Sequence, residues 1–188
     1  MTVGARSIEG AFELFLYRLM AAAALDGSMY EAIEADRRAT KQAAVTVLLS
    51  SLAAAVGAAG PYGLHLSTFV ATTALALVTW VAWAMLMFQL GTRMLPEPQT
   101  RATLGELLRT TGFAAAPGLL QAFAILPGMA GPVFVGIWGW MIAAMVVGVR
   151  HALDYRSTWR AVAVCLVAAT IAIGMAAGIG VVFAPPVS

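Results

Sequence analysis

The chain has 188 residues, 61% of them hydrophobic and 11% charged, with a formal net charge of +2 and a mean hydropathy of +0.87. A soluble domain of this size carries about 25% charged residues, so a fully water-exposed surface is excluded and the apolar excess has to face lipid. The small net charge gives no footprint for nucleic acid. The single cysteine, Cys165, excludes an intramolecular disulfide and a multi-cysteine metal centre; it reads as a small apolar residue within a hydrophobic run.

The first pattern, residues 6–25, places Ile8, Phe12, Phe15, Leu16, Leu19 and Ala23 on one helical face, with Arg6, Glu9, Glu13 and Arg18 around the remainder. Such a helix either lies at the headgroup level or packs on the rest of the protein, and the pattern alone leaves both open. The interruption by Arg18 and the acidic Glu9 and Glu13 argue against a cleavable signal peptide. Asp26-Gly27 breaks the pattern, and Ser28 with Glu31 has the spacing of a capping box. The helix it opens is expected to pair Glu34 with Arg38 at i,i+4 and to continue without a break into the first membrane span.

Five apolar stretches follow, at about 43–60, 66–90, 107–126, 132–149 and 161–183. Each has the roughly 17 to 25 residues needed to cross a hydrocarbon core, and in lipid each must be helical to pair its own backbone. All eleven Lys and Arg residues fall in three places, between Arg6 and Lys41, between Arg93 and Arg109, and between Arg150 and Arg160. The connections 61–65 and 127–131 and the tail 184–188 carry none. Alternate basic and neutral loops predict an all-α bundle of five transmembrane helices, N-terminus in the cytoplasm and C-terminus outside. The charged residues 1–41 form a cytoplasmic N-terminal region ahead of the membrane domain 42–188.

Ionisable residues near a span are candidates for function. Glu106 and Arg109, at i,i+3 at the mouth of the third span, form either an interfacial ion pair or part of an entrance. Pro117 is expected to kink that helix. Gln121, deeper in it, serves as an interhelical hydrogen-bond partner or lines a polar cavity. Gly112, Ala115, Ala116 and Gly118 offer a smooth surface for neighbouring backbones. Gly174 and Gly178 form a GxxxG helix-packing pattern, and these glycines with Gly131, Gly136 and Gly139 serve either dimerisation or, more economically, packing within the protein. Arg150 and Asp154 are an i,i+4 pair just inside the membrane, with Tyr155 and Trp159 as interfacial anchors. His65 and His151 belong to opposite membrane faces and form no site. There is no HExxH, GxSxG or P-loop, so neither catalytic residues, a cofactor nor a metal is assigned.

The segment YEAIEADRRATKQA, followed by five spans, resembles the layout of the Yip-domain (Ypt-interacting-protein) family from about residue 14 to residue 182. LGELLRTTGFAAAPGLL is similar to the R-x-x-G-[FY]-[AS]-x-x-P block of bacterial members, on Arg109, Gly112, Phe113, Ala114 and Pro117. IWGWMIAAMVVGVRHALDYRSTWRAV resembles their segment after the fourth span. The DLYGP-type motif of eukaryotic members, which bind prenylated Rab GTPases in vesicle traffic, has no counterpart. With ten arginines to one lysine and abundant alanine, the resemblance implies a bacterial inner-membrane protein without enzymatic activity. The leading expectation is a scaffold or accessory subunit whose partners are the lipid bilayer and another membrane protein or a second copy. The alternatives are a small transporter or channel lined by the kinked third helix, and a membrane-shaping or lipid-sensing protein.

Overall fold

A computed structural model describes residues 3–59 and 66–183; the predicted outer connection 61–65, with His65, and the tail 184–188 lie outside the described residues, as do the side chains of Arg6, Ile8 and Glu9. The described residues are helices and their connections, with no strand among them. In chain order they are α1 (Val3–Ala23), α2 (Gly27–Ala35), α3 (Ala39–Ala59), α4 (Leu66–Gln89), α5 (Leu104–Phe113), α6 (Ala130–Ala152) and α7 (Thr158–Phe183). A π turn, Leu90–Met94, extends α4 past the expected end of the apolar stretch at residue 90, and a 3-10 segment, Ala116–Ile125, follows α5. Four helices, Ala39–Ala59, Phe69–Met94, Ala130–Ala152 and Thr158–Met175, are long and apolar enough to cross a membrane.

Local chemistry sets the entry to the bundle differently from the expectation at Ser28. The cap of α2 is Asp26, whose carboxylate accepts from the Ser28 amide at 2.9 Å and the Met29 amide at 3.4 Å, while the Ser28 hydroxyl donates to the same oxygen. An Asp two residues before the first helical donors outcompetes the serine. Nor does α2 run on into α3. Asp36 is extended (φ −91°, ψ 101°) and accepts from the Arg38 amide at 2.9 Å, a local side-chain bond that competes with helix continuation. Arg38 therefore lies in the turn beyond the end of α2 and forms no helical i,i+4 pair with Glu34.

The centre of the fold is the broken element formed by α5 and the 3-10 segment, which packs against α3, α4, α6, α1 and α2. A capping box does open α5: Thr103 accepts from the Glu106 amide, and the Glu106 carboxylate accepts from the Thr103 amide at 2.7 Å. The α-helix ends at Phe113. Pro117 sits in the first turn of the 3-10 segment, so the expected kink is a change of helix type. Burial follows suit: Gly118, Gln121 and Ala124 are buried while Leu120, Phe123 and Leu126 are exposed, a repeat of three that matches three residues per turn.

The buried row faces α3. A Cβ on Gly57 would overlap the Gln121 carbonyl oxygen, and one on Gly118 the Ser50 hydroxyl; one on Gly112 would lie 2.7 Å from the Ala43 Cβ. These glycines let two backbones touch, which is how apolar helices associate where lipid supplies no hydrophobic drive. Gly131, Gly136, Gly139 and Gly174, by contrast, have open space where a Cβ would stand. They do not pack within the protein as expected, and the surroundings of Gly178 lie outside the described residues.

Candidate functional site

The polar chemistry of the described residues gathers at one end of the bundle, where α2 lies across the ends of α5 and α6. Tyr30, fully buried, rests on Gly148, where a Cβ would stand 3.1 Å from the ring. His151, in the last turn of α6, lies over Gly27 and pairs through Nδ1 with Glu31 at 3.2 Å. Arg109, only 6% exposed, donates from Nε at 2.8 Å and from Nη2 to the Glu34 main-chain carbonyl. Glu106 is held by Thr103. The structure thus separates the sequence neighbours Glu106 and Arg109: one caps its own helix and the other fastens a different one.

Between α2 and the α6–α7 turn opens a cleft of about 680 Å³. Glu31, Glu34 and Ala35 line one wall; Arg150, His151, Asp154, Tyr155 and Arg156 line the other, with Gln99 at its edge. Arg150 and Asp154 both line this cleft, but not as an i,i+4 pair. Helix α6 stops at Ala152, and Asp154 takes a left-handed conformation (φ 53°). Its carboxylate accepts from the Arg101 amide at 3.3 Å, its carbonyl accepts from Gln99, and Arg150 Nε donates to the Tyr155 carbonyl.

Tyr155 is buried and so is a clamp rather than a surface anchor. Its hydroxyl lies 2.7 Å from the Leu95 carbonyl and 3.1 Å from that of Gly91, tying the α6–α7 turn to the π turn. Burial pushes the phenol up to about 12, so it stays a donor. Glu97 braces the same turn, accepting from the Arg156 amide at 3.0 Å and facing Arg160 Nε at 3.3 Å; these bonds hold its carboxyl below the usual range. Trp159, by contrast, is 82% exposed.

Glu34 is the unusual group of the cleft. Burial first, then the negative charges of Glu106, Asp154 and Glu31, push its carboxyl up to about 7, with Arg109 partly offsetting them. A carboxyl poised near neutrality is a feature of sites that bind or exchange charge. The wall opposite carries two guanidinium groups, so the cleft offers both signs of charge. No group of three His, Cys, Asp or Glu among the described residues is placed to hold a metal.

The other sequence candidates lie elsewhere. Gln121 is 4% exposed, its amide 3.9 Å from the Met141 sulfur, in the close-packed seam between α3 and α6. Pro117 is part of that seam, and Gly174 stands on the outer reach of α7. Sequence reasoning missed Glu31, Glu34, His151, Gln99 and Arg156 as members of one site. The i,i+3 spacing of Glu31 and Glu34 was the one local sign available.

The sequence matches the Yip1 domain over residues 19–179, a stretch that takes in the cleft, the broken central element and all four long apolar helices. No curated protein and no solved structure matches the chain. Together with the all-helical architecture, the match makes the assignment: the chain belongs to the Yip1 domain family.

Proposed function

We propose that the chain is a five-span, non-enzymatic protein of the bacterial inner membrane, N-terminus in the cytoplasm. In this role it is a scaffold or accessory subunit that engages a partner at the charged end. The observation that carries the reading is the separation of polar and apolar work. The polar cleft is confined to the end where α2 docks, while the interior around Gln121 is closed by Gly57, Gly118, Ser50 and Met141. The same closure makes us prefer this reading to transport, which needs polar groups along a path.

The orientation is supported by the charges: Lys and Arg cluster beside the cleft and are missing from 61–65, 127–131 and 184–188. The fifth crossing is supported by length. Ten α residues at 1.5 Å and ten 3-10 residues at 2.0 Å together rise about 35 Å, against a core of about 30 Å. The bacterial origin is supported by the arginine and alanine content. The uncovered glycine faces of α6 and α7 suit a further membrane helix, from a partner or a second copy.

Two experiments test this. Thiol labelling of single cysteines in a Cys165→Ala background should reach Lys41→Cys and Arg156→Cys only from the cytoplasm and His65→Cys only from outside. Purification at native expression in mild detergent should retain a partner that is lost on Glu34→Lys. Recovery of the intact chain strictly alone would overturn the scaffold reading.

A further inference from the structure

Helix α1 does not sit where a surface amphipathic helix should. Its inner face packs on the bundle: Phe15 meets Phe113 edge to face, 6.3 Å between ring centres, and Leu19 and Ala22 join Ala116 in a buried cluster. Its level can be read from the neighbouring helices. Ser50, Gly118 and Met141 come together at one height, and Met141 is the middle residue of α6 (Ala130–Ala152). Next to it, Trp140 donates through Nε1 to the Ala23 carbonyl at 2.7 Å. The C-terminal end of α1 therefore lies within one side chain's reach of the middle of α6. Phe15 is eight residues back, about 12 Å along the helix, while half a hydrocarbon core is about 15 Å.

We propose that residues 14–23 of α1 lie inside the hydrocarbon of the cytoplasmic leaflet, as a half-membrane wedge with one side on the bundle and Leu14, Leu16 and Met20 against acyl chains, while the exposed Glu13, ten residues and about 15 Å before Ala23, stands at the headgroups. The inference rests on the proposed spanning topology and deepens it.

Two further observations support that solvent. The last four carbonyls of a helix lack intrahelical partners and in hydrocarbon cannot be left to water. In α1 all four are used. Met20 accepts from the Ala24 amide, Ala21 from that of Asp26, Ala22 from that of Leu25 and Ala23 from Trp140. Closing this turn puts Leu25, not a glycine, at φ 63°, a conformation a leucine adopts only at a cost. The charge in the segment is treated the same way. Arg18 is turned inward, contrary to its expected place on the polar face, and donates from Nη2 to Asp36 and from Nη1 to Gln42, each at 2.7 Å; only its Nε has no partner.

The outward stripe is apolar. Beyond Glu13 the exposed residues of α1 are Leu14, Leu16, Tyr17 and Met20, Met20 65% exposed. The 3-10 segment on which α1 packs is apolar too, with Leu120 and Phe123 exposed. A water-facing helix of this kind would leave a large hydrophobic patch bare. At the depth set by Trp140, acyl chains cover it.

The test uses nitroxide labels on single cysteines at Leu16, Met20, Leu49 and Lys41 in a Cys165→Ala background. The full chain is placed in phosphatidylcholine–phosphatidylglycerol vesicles, and collision with oxygen is compared with collision with a water-soluble nickel chelate. All four positions are exposed, so labelling spares the core. Leu16 and Met20 should favour oxygen severalfold over the Lys41 label and approach Leu49, on mid-α3. If Met20 matches Lys41 while Leu49 stays oxygen-rich, the wedge is overturned and the spanning topology stands. If Leu49 also matches Lys41, the topology fails and the wedge with it. Trp140→Phe should raise nickel contact at Met20; an unchanged value would overturn the role given to the Ala23 bond.

Discussion

The Arg109 guanidinium closes on the main-chain carbonyl of Glu34, 75 residues earlier in the chain, from Nε at 2.8 Å and from Nη2. A buried cation is thus satisfied by a helix C-terminus, where carbonyls without partners and the negative end of the helix dipole gather. Arg109→Ala should cost about 1.5–3 kcal/mol, the range for hydrogen bonds to charged groups. Arg109→Lys should recover only part, because an ammonium cannot reproduce the fork. Thermal unfolding in detergent gives the loss, and faster proteolysis at residues 36–38 would locate it to α2.

Glu34 should make the docking of α2 sensitive to pH. Its carboxyl is raised from the ordinary 4.5 to about 7, so the folded state binds that proton more tightly than the unfolded chain. Its contribution is complete below about 4.5 and is lost as the pH climbs through about 7. Asp36 acts in the opposite sense. The Arg18 hydrogen bond holds its carboxyl low, so its contribution is present above the usual carboxylate value and is lost on acidification. Unfolding temperature should therefore peak between the two effects, and Glu34→Gln should flatten the neutral limb while leaving the acid limb. An unchanged neutral limb in that variant would assign the slope to another group.

The glycines divide into two classes that substitution will separate. Gly57→Ala drives a Cβ into the Gln121 carbonyl and should cost about 1–3 kcal/mol as overpacking. Gly174→Ala meets nothing within 4 Å and should be neutral or stabilising by up to about 1 kcal/mol, since alanine is the better helix former. Paired melting curves in one detergent decide this, and equal effects would contradict the packing described.

Tyr155→Phe removes the hydroxyl shared by the Gly91 and Leu95 carbonyls. A loss of about 1 kcal/mol is expected, with faster hydrogen exchange around Met94 and Leu95. Because the phenol is raised to about 12, the difference from wild type should not vary between pH 6 and about 9.

Much of the scaffold is legible in the sequence, for physical reasons. Apolar runs of membrane length must become helices whatever their neighbours, and four of them do. The failures lie where two local solutions compete. Ser28-Met-Tyr-Glu31 and Thr103-Leu-Gly-Glu106 carry the same capping pattern; only the second forms its box, because Asp26 sits within reach of the first. Pro117 announced a break, but not that ten residues would wind as a 3-10 helix, which depends on the fit to α3. Nor can a lone glycine reveal whether a backbone lies against it: Gly118 and Gly174 look alike in the sequence and differ entirely in what surrounds them. The cleft was half legible, through Arg150 and Asp154. Glu34 and His151 were hidden because α2 folds back across the bundle.

The 3-10 segment also has a mechanical side. Wound as α-helix, its ten residues would shorten from about 20 Å to about 15 Å. Its buried row of every third residue would drift around the cylinder by about 60° per step. The segment is held in this winding against α3, whose Ser50 and Gly57 are seated on Gly118 and Gln121. Any change that frees α3 from that row would release a contraction of about 5 Å, along the same axis on which the charged end is mounted.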